Sequence, residues 1–197
     1  MRHRFTLGRR RQPLLRGSGY SQPLKHLLYL RDVTGIAERT TQAIPPLLTP
    51  VPANRSLVDY QPEPEIWDEV WDAIVASEPF GSEYRAAAEL AARSHAWRAV
   101  TSHHGPESAA NWSRVEKRRA IDGHKAIMSA HHEIVRRHRV KPQRGTQFEQ
   151  LRMAIVPTEP FRMRSGTTLL TSVADLEDSE PHLAWLDEQL ANAAAAR

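Results

Sequence analysis

Residues 106–140 read PESAANWSRVEKRRAIDGHKAIMSAHHEIVRRHRV and decide how this chain is organised. The stretch contains no proline after Pro106, so a single long helix is predicted over it. On a helical wheel at about 100° per residue, it separates into an apolar face and a positively charged face. The apolar face comprises Trp112, Ala120, Gly123, Ile127, Ala130 and Ile134, with Glu116 and Lys141 as polar exceptions.

The charged face carries a row of cations, with His132 and Arg139 on its flanks. A straight row of positive charge along a helix is typical of contact with nucleic-acid phosphates. The alternative is a solvated outer surface, which every amphipathic helix has. The cations of the row are Arg114, Arg118, Lys125 and Arg136.

A second basic element favours the nucleic-acid interpretation. The first 31 residues contain no acidic side chain and include Arg9, Arg10 and Arg11. We therefore expect a non-enzymatic protein that binds the phosphate backbone of DNA or RNA through this arm and the helix face. An Arg-rich, acid-free start also suits a targeting segment, although Pro13 spoils an amphipathic helix there.

Charge is distributed in blocks, and this favours an alternative function. Residues 1–60 hold ten basic and three acidic side chains, whereas residues 61–83 hold seven acidic and no basic ones. Opposite blocks can pair within one chain or between chains. The alternative is thus a structural subunit of a virion or multi-protein complex, a homo-oligomer or larger assembly whose N-terminal segments pack on neighbouring chains.

Helix signals dominate the second part of the chain. An amphipathic helix is predicted over Pro64–Ser77, an alanine-rich helix over Glu83–Thr101, and a last helix after the cap residue Ser179. Residues 146–156 and 167–176 are ambiguous between helix and strand. The predicted fold is therefore mainly α, an antiparallel three- or four-helix bundle with an extended basic N-terminal arm and a Pro-rich strap.

Two regions are predicted from this pattern. Residues 1–63 comprise the basic arm, a short helix from Leu24 to Arg39 and the Pro-rich strap, and residues 64–197 form the helical domain. The strap contains too many apolar residues for a free linker, so we expect it to lie along the surface of the body.

Several functional classes are excluded or disfavoured. The absence of cysteine excludes disulfides, thiolate zinc sites and cysteine nucleophiles. The sequence contains no Gly-x-Ser-x-Gly motif, no phosphate-binding Gly-rich loop and no dinucleotide fingerprint. No apolar run approaches the ~18 residues needed to span a membrane. We therefore predict no catalytic residue, no cofactor and no membrane contact, and a cytoplasmic location.

Histidines on the long helix suggest a metal site, but their spacing argues against one. His124, His131 and His138 recur every seven residues, about 10.5 Å apart along a helix axis, too far for a shared ion. His132 and His138 lack the His-Glu-x-x-His spacing of a metalloprotease. No metal is predicted, although a site that combines His103 and His104 with one member of the row stays open, as does a pH-sensitive interface.

Overall fold

The computed structural model describes residues 11–77, 79–82, 84–104, 106–112, 114–138 and 147–195. One mixed four-stranded sheet runs through it in the order β1-β2-β4-β3. The first three strands of that order are mutually parallel, and β3 is antiparallel to β4. The predicted antiparallel helix bundle is therefore wrong, and the fold is α/β. The strands are β1 (Arg11–Tyr20), β2 (Gln147–Val156), β3 (Arg162–Ser165) and β4 (Thr168–Ser172).

Helices cover both faces of the sheet and make three layers. On the first face they pack with Ala154, Val156 and Leu170, and on the second with Leu151, Met153 and Leu169. The first-face helices are α1 (Gln22–Val33), α2 (Arg55–Val58), α3 (Pro64–Ser77), α4 (Tyr84–Arg93), α5 (His95–His103) and α6 (Pro106–Trp112). The second-face helices are α7 (Arg114–His138), α8 (Val173–Glu177) and α9 (Ser179–Ala195).

Strand β2 explains why residues 146–156 were ambiguous in sequence. Alternate side chains from Leu151 to Val156 enter opposite cores, as expected for a strand, yet all of them except Arg152 are buried. A parallel strand covered on both faces reads as a continuous apolar run and loses the polar alternation. The other ambiguous stretch, residues 167–176, contains both a strand and the start of a helix. Thr168–Ser172 is the strand β4, and Val173–Glu177 is a helix.

The described part of the predicted arm is a strand, so the arm prediction is also wrong there. β1 lies at the edge of the sheet and pairs with β2 from Arg11–Gln147 to Tyr20–Ile155, with a register shift between Leu15 and Gly17. An edge strand tolerates proline and glycine, which is why Pro13 does not prevent pairing. Arg9 and Arg10 lie outside the described residues, and of Arg11 only the backbone is described.

Helix α1 lies at the centre of the first-face core. Its leucines Leu24, Leu27, Leu28 and Leu30 are fully buried, which confirms the predicted short helix that docks on the body. Ser21 caps the helix because its hydroxyl accepts a hydrogen bond from the Leu24 N–H. A 3-10 turn over Ala37–Arg39 follows it. The core thus joins residues from both sides of residue 64, and the division into two domains stays a prediction.

One predicted helix is divided in the structure. The alanine-rich helix breaks at Ser94, whose hydroxyl accepts from the Ala96 and Trp97 N–H groups and so caps α5. Serine competes for backbone hydrogen bonds in this way and favours caps over helix interiors. In the stretch 106–140, α6 and α7 are described, and Ser113 between them lies outside the described residues. Helices α3 and α9 lie where the sequence predicts them.

The Pro-rich strap lies across the carboxyl end of β2. The Leu48 N–H donates to the Pro157 carbonyl (3.1 Å), and the Glu159 N–H donates to the Pro46 carbonyl (3.0 Å). The strap also contacts Glu116, the acidic exception on the apolar face of the long helix. This residue is buried, and its carboxylate accepts a hydrogen bond from the Thr49 hydroxyl of the strap and pairs with Arg119. None of the helices in the described ranges is long and apolar enough to cross a membrane.

Candidate nucleic-acid interface

A cleft of about 470 Å³ opens where β1 leads into α1, and we call it the basic cleft. In open α/β sheets, ligands bind beyond the carboxyl ends of the parallel strands. The first turn of a helix also presents N–H groups and the positive end of its dipole, which favour anions. The cleft is lined by Gln22, Lys25, Gly81, Ser82, Tyr84, Ala110, Asn111, Arg114 and Lys117.

Lys25 gives the cleft its buried charge. Only 1% of this residue is exposed, and its Nζ donates to the Gln22 Oε1 at 2.9 Å. Its position near the amino end of α1 adds an unfavourable interaction with the helix dipole, which an anion in the cleft would offset.

Arg114 and Lys117 add two exposed cations from the first turn of α7. The Arg114 guanidinium donates to the Asn111 Oδ1 at 3.1 Å, as Lys25 does to the Gln22 amide. The side-chain amide oxygens of Gln22 and Asn111 thus accept hydrogen bonds from these cations. The NH₂ groups of the same amides can donate hydrogen bonds to a ligand. Among the described residues that line the cleft, three are cationic and none is acidic.

The predicted row of cations lies on the outer side of α7. Arg114, Arg118, Lys125 and Arg136 are all exposed and span about 33 Å of helix at 1.5 Å per residue. Arg136 forms two hydrogen bonds to the Glu133 carboxylate, both 2.9 Å long, so its charge is partly compensated. The structure brings only Arg114 of this row to the basic cleft.

Three residues that line the cleft are not predicted as site residues from the sequence: Lys25, Lys117 and Tyr84. No local motif indicates the cleft, because Gly17 and Gly19 lie within strand β1 and do not line the cleft. From the sequence alone, residues 11–20 are predicted to belong to the arm, so the transition from strand to helix is not predicted.

The three histidines of the heptad spacing lie in and beside the cores of the second face, whereas His132 is exposed beside the cation row. His131 and His182 of α9 are buried, and their Nε2 atoms lie 2.8 Å apart. Burial lowers the pKa of His131 to about 3 and the pKa of His182 to about 4, so both rings are neutral at pH 7. The third histidine of the heptad spacing, His138, binds the Asp187 Oδ1 at 2.8 Å through its Nε2.

The rings of His124 and His131 lie closer together than their spacing along the helix predicts. The ring centroids of His124 and His131 are 5.7 Å apart, because the two side chains lean toward each other. His104 forms a hydrogen bond with the Tyr29 hydroxyl (2.9 Å), and the His103 Nδ1 lies 2.8 Å from the Ala99 carbonyl oxygen. In the described part of the chain, no group of three or more His, Asp or Glu side chains is arranged to hold a metal ion.

Comparison with known proteins places no further constraint on the site. No protein-family model, curated protein or solved structure matches the chain.

Proposed function

We propose that this protein binds nucleic acid through the sugar–phosphate backbone, along a surface that begins at the basic cleft and continues over the outer side of α7. One observation carries the proposal. Arg114, the first cation of the row, also lines the cleft that contains Lys25 and Lys117. Two basic features that could have faced different directions thus share a residue. A cytoplasmic location is part of this proposal.

The dimensions of the surface suit a nucleic acid. A length of about 33 Å corresponds to roughly ten base pairs of duplex at 3.4 Å per base pair. Phosphate contacts position a protein on DNA or RNA but carry no sequence information directly. We therefore expect binding without strong sequence preference, and we assign no chemical reaction to the surface.

Salt dependence tests the proposal. For four to six phosphate contacts, affinity for duplex DNA is expected to fall roughly 10²- to 10³-fold between 50 and 200 mM salt, because each contact releases counterions. Arg118→Gln with Lys125→Gln should weaken binding and reduce the salt slope by about two. Fluorescence anisotropy with duplex DNA and duplex RNA measures both quantities.

The matched control removes two exposed cations elsewhere, by Arg39→Gln with Arg98→Gln. The control has the same net charge as the test variant but leaves the surface of α7 intact, so its affinity and slope should stay near those of the wild type. Absence of binding at 50 mM salt, or an affinity that does not change with salt concentration, would exclude recognition of the phosphate backbone.

A second candidate function is supported by apolar groups on the same helix. Val115, Ile121 and Met128 of α7 are 67%, 42% and 43% exposed. Exposed apolar side chains gathered on one helix are typical of surfaces that contact another protein. We therefore keep the assembly subunit as the alternative, with α7 as its contact surface with a second copy or a larger complex.

Sedimentation velocity separates the two functions. If α7 is an assembly surface, the full chain should sediment as a dimer or larger species at micromolar concentrations. Ile121→Glu with Met128→Glu should then return it to a monomer, because buried carboxylates would oppose the contact. Tyr60→Ala removes an exposed apolar side chain elsewhere and serves as the control. A monomer at all concentrations would argue against assembly by this surface.

A further inference from the structure

We infer that acid opens the amino-terminal end of α9, residues 179–185, through the contact between His131 and His182, while the remainder of the helix stays packed. These two residues, which we call the histidine pair, thus form a pH-sensitive switch among the second-face helices. The inference does not depend on the proposed function, because neither residue of the pair belongs to the basic cleft or to the cation row.

His182 anchors this end of α9. It is fully buried, whereas the other side chains of the first two turns are exposed or half-buried. Its Nε2 lies 2.8 Å from the Nε2 of His131, and its Nδ1 lies 3.2 Å from the Thr171 hydroxyl. The Arg162 guanidinium donates to the Pro181 carbonyl at 2.5 Å. The position of these turns therefore depends on a titratable contact and on one hydrogen bond from β3.

Protonation opposes the packed position of this end. Two neutral rings can place one N–H between the facing Nε2 atoms, whereas two imidazolium rings would place two N–H groups there. His182 is also the fourth residue of α9, so its added proton would lie near the positive end of the helix dipole. Glu180 in the first turn is exposed, and solvent screens its charge.

The groups around the histidine pair give an added proton little support. Burial is the largest cause of the low pKa of both rings, and His124 and His132 of α7 add to the lowering at the α7 ring. Asp175 of α8 raises the pKa of the α9 ring, and Arg162 of β3 lowers it. Asp175 is itself paired with Arg162 at 3.3 Å, and the facing group of β4 is Thr171, which does not titrate.

The second part of α9 has anchors that acid does not weaken. Leu186, Leu190 and Ala193 are fully buried in the second-face core. The His138 Nε2 lies 2.8 Å from the Asp187 Oδ1, and a proton on this histidine strengthens its contact with the carboxylate. We therefore expect the opening to end before Leu186. A local opening of this kind needs less free energy than global unfolding.

The opened segment lies beside the carboxyl end of β4. Thr171, which contacts the histidine pair, is the last residue but one of this strand. In α/β sheets, ligands bind beyond the carboxyl ends of the parallel strands. The switch would thus control access to an end of the sheet that is covered at pH 7.

Amide hydrogen exchange of the full chain tests the inference, when it is measured residue by residue by NMR and corrected for the intrinsic rate at each pH. The opening constant of the Leu183, Ala184 and Trp185 amides should rise roughly 20- to 500-fold from pH 7 to pH 5. The lower value corresponds to one added proton and the higher value to two. The Leu190 amide is the internal reference, and at pH 5 its opening should cost more free energy and depend more strongly on urea.

Two variants identify the group that titrates. His131→Leu with His182→Leu should abolish the change with pH in the amides of residues 183–185, whereas His138→Gln should retain it, because it removes only the neighbouring contact with α9. Loss of the change in His138→Gln would overturn the inference.

The wild type decides the question even if the double variant does not fold. An opening constant that is the same at pH 7 and pH 5 would overturn the inference. The same follows if the amides of residues 183–185 share the opening free energy and the urea dependence of Leu190 at pH 5, since they would then exchange by global unfolding alone.

Discussion

Trp67→Ala is expected to lower the free energy of unfolding by about 3–5 kcal/mol, the range found when a buried large aromatic is truncated. The Trp67 side chain is fully buried on α3 and stacks on Trp71, with ring centroids 5.3 Å apart. Its Nε1 donates to the carbonyl of Leu27 in α1 at 2.8 Å. The residue thus joins the two helices at the centre of the first-face core, and urea unfolding followed by circular dichroism measures the loss.

A matched pair of variants isolates the hydrogen bond within that loss. Trp67→Phe and Trp71→Phe remove the same volume from adjacent, fully buried rings. The Trp71 Nε1 is buried, and it has no hydrogen-bond acceptor among the described residues. Trp67→Phe should therefore cost about 0.5–1.5 kcal/mol more than Trp71→Phe. Equal costs would show that the bond to Leu27 contributes nothing to stability.

The helices were predictable because their signals are local. The recurrence of Ile66, Val70 and Ile74, with Pro79 and Gly81 as terminators, is sufficient to place α3. Ser179 does the same for the start of α9. Within such segments the side-chain period and the end signals depend only on neighbours a few positions away.

The sheet was not predictable by the same reasoning, because its pairing is non-local. Arg11 pairs with Gln147, which is separated from it by most of the sequence, and nothing in residues 11–20 indicates this partner. Pro13 and Gly17 disfavour a strand locally, and only the edge position makes them acceptable. The wrong arm and bundle predictions both follow from this missing partner, since a strand without its sheet resembles a polar loop.

The same distinction between local and non-local signals applies to the candidate site. The outer position of Arg114, Arg118, Lys125 and Arg136 follows from the period of one helix, and the structure places all four on the exposed side. The basic cleft depends on how α1, α4 and α7 pack, so Lys25 and Tyr84 could not be assigned to it from sequence. Their role as binding residues stays a prediction for both sets.

A fall in pH from 7 to 5 is expected to reduce the free energy of unfolding by about 3–4 kcal/mol through His131 and His182. Burial lowers the pKa of these residues to about 3 and about 4, whereas histidine in an unfolded chain titrates near 6.5. Between these values the unfolded chain binds more protons than the folded one. Acid therefore draws the equilibrium toward unfolding, and above about pH 7 this contribution disappears.

Burial is the main reason why His182 resists protonation. It lowers the pKa of His182 most, Asp175 opposes this shift by raising the pKa, and Arg162 and His124 add to the lowering. With both rings neutral, one Nε2 can donate to the other across 2.8 Å, while the Thr171 hydroxyl lies 3.2 Å from the His182 Nδ1. If both rings were protonated, two N–H groups would point at each other inside the second-face core.

Urea unfolding at pH 7 and pH 5, at constant ionic strength, tests this effect. Between pH 7 and pH 5, the free energy of unfolding of the double variant His131→Leu with His182→Leu should fall by about 3–4 kcal/mol less than that of the wild type. The control His132→Gln, on the exposed side of α7, should show the same fall as the wild type. Proton NMR of the wild type gives an independent result, because the His131 ring signals should not shift between these pH values. If the double variant loses as much stability on acidification as the wild type, or the His131 signals move near pH 6.5, the buried pair cannot be the source of acid sensitivity.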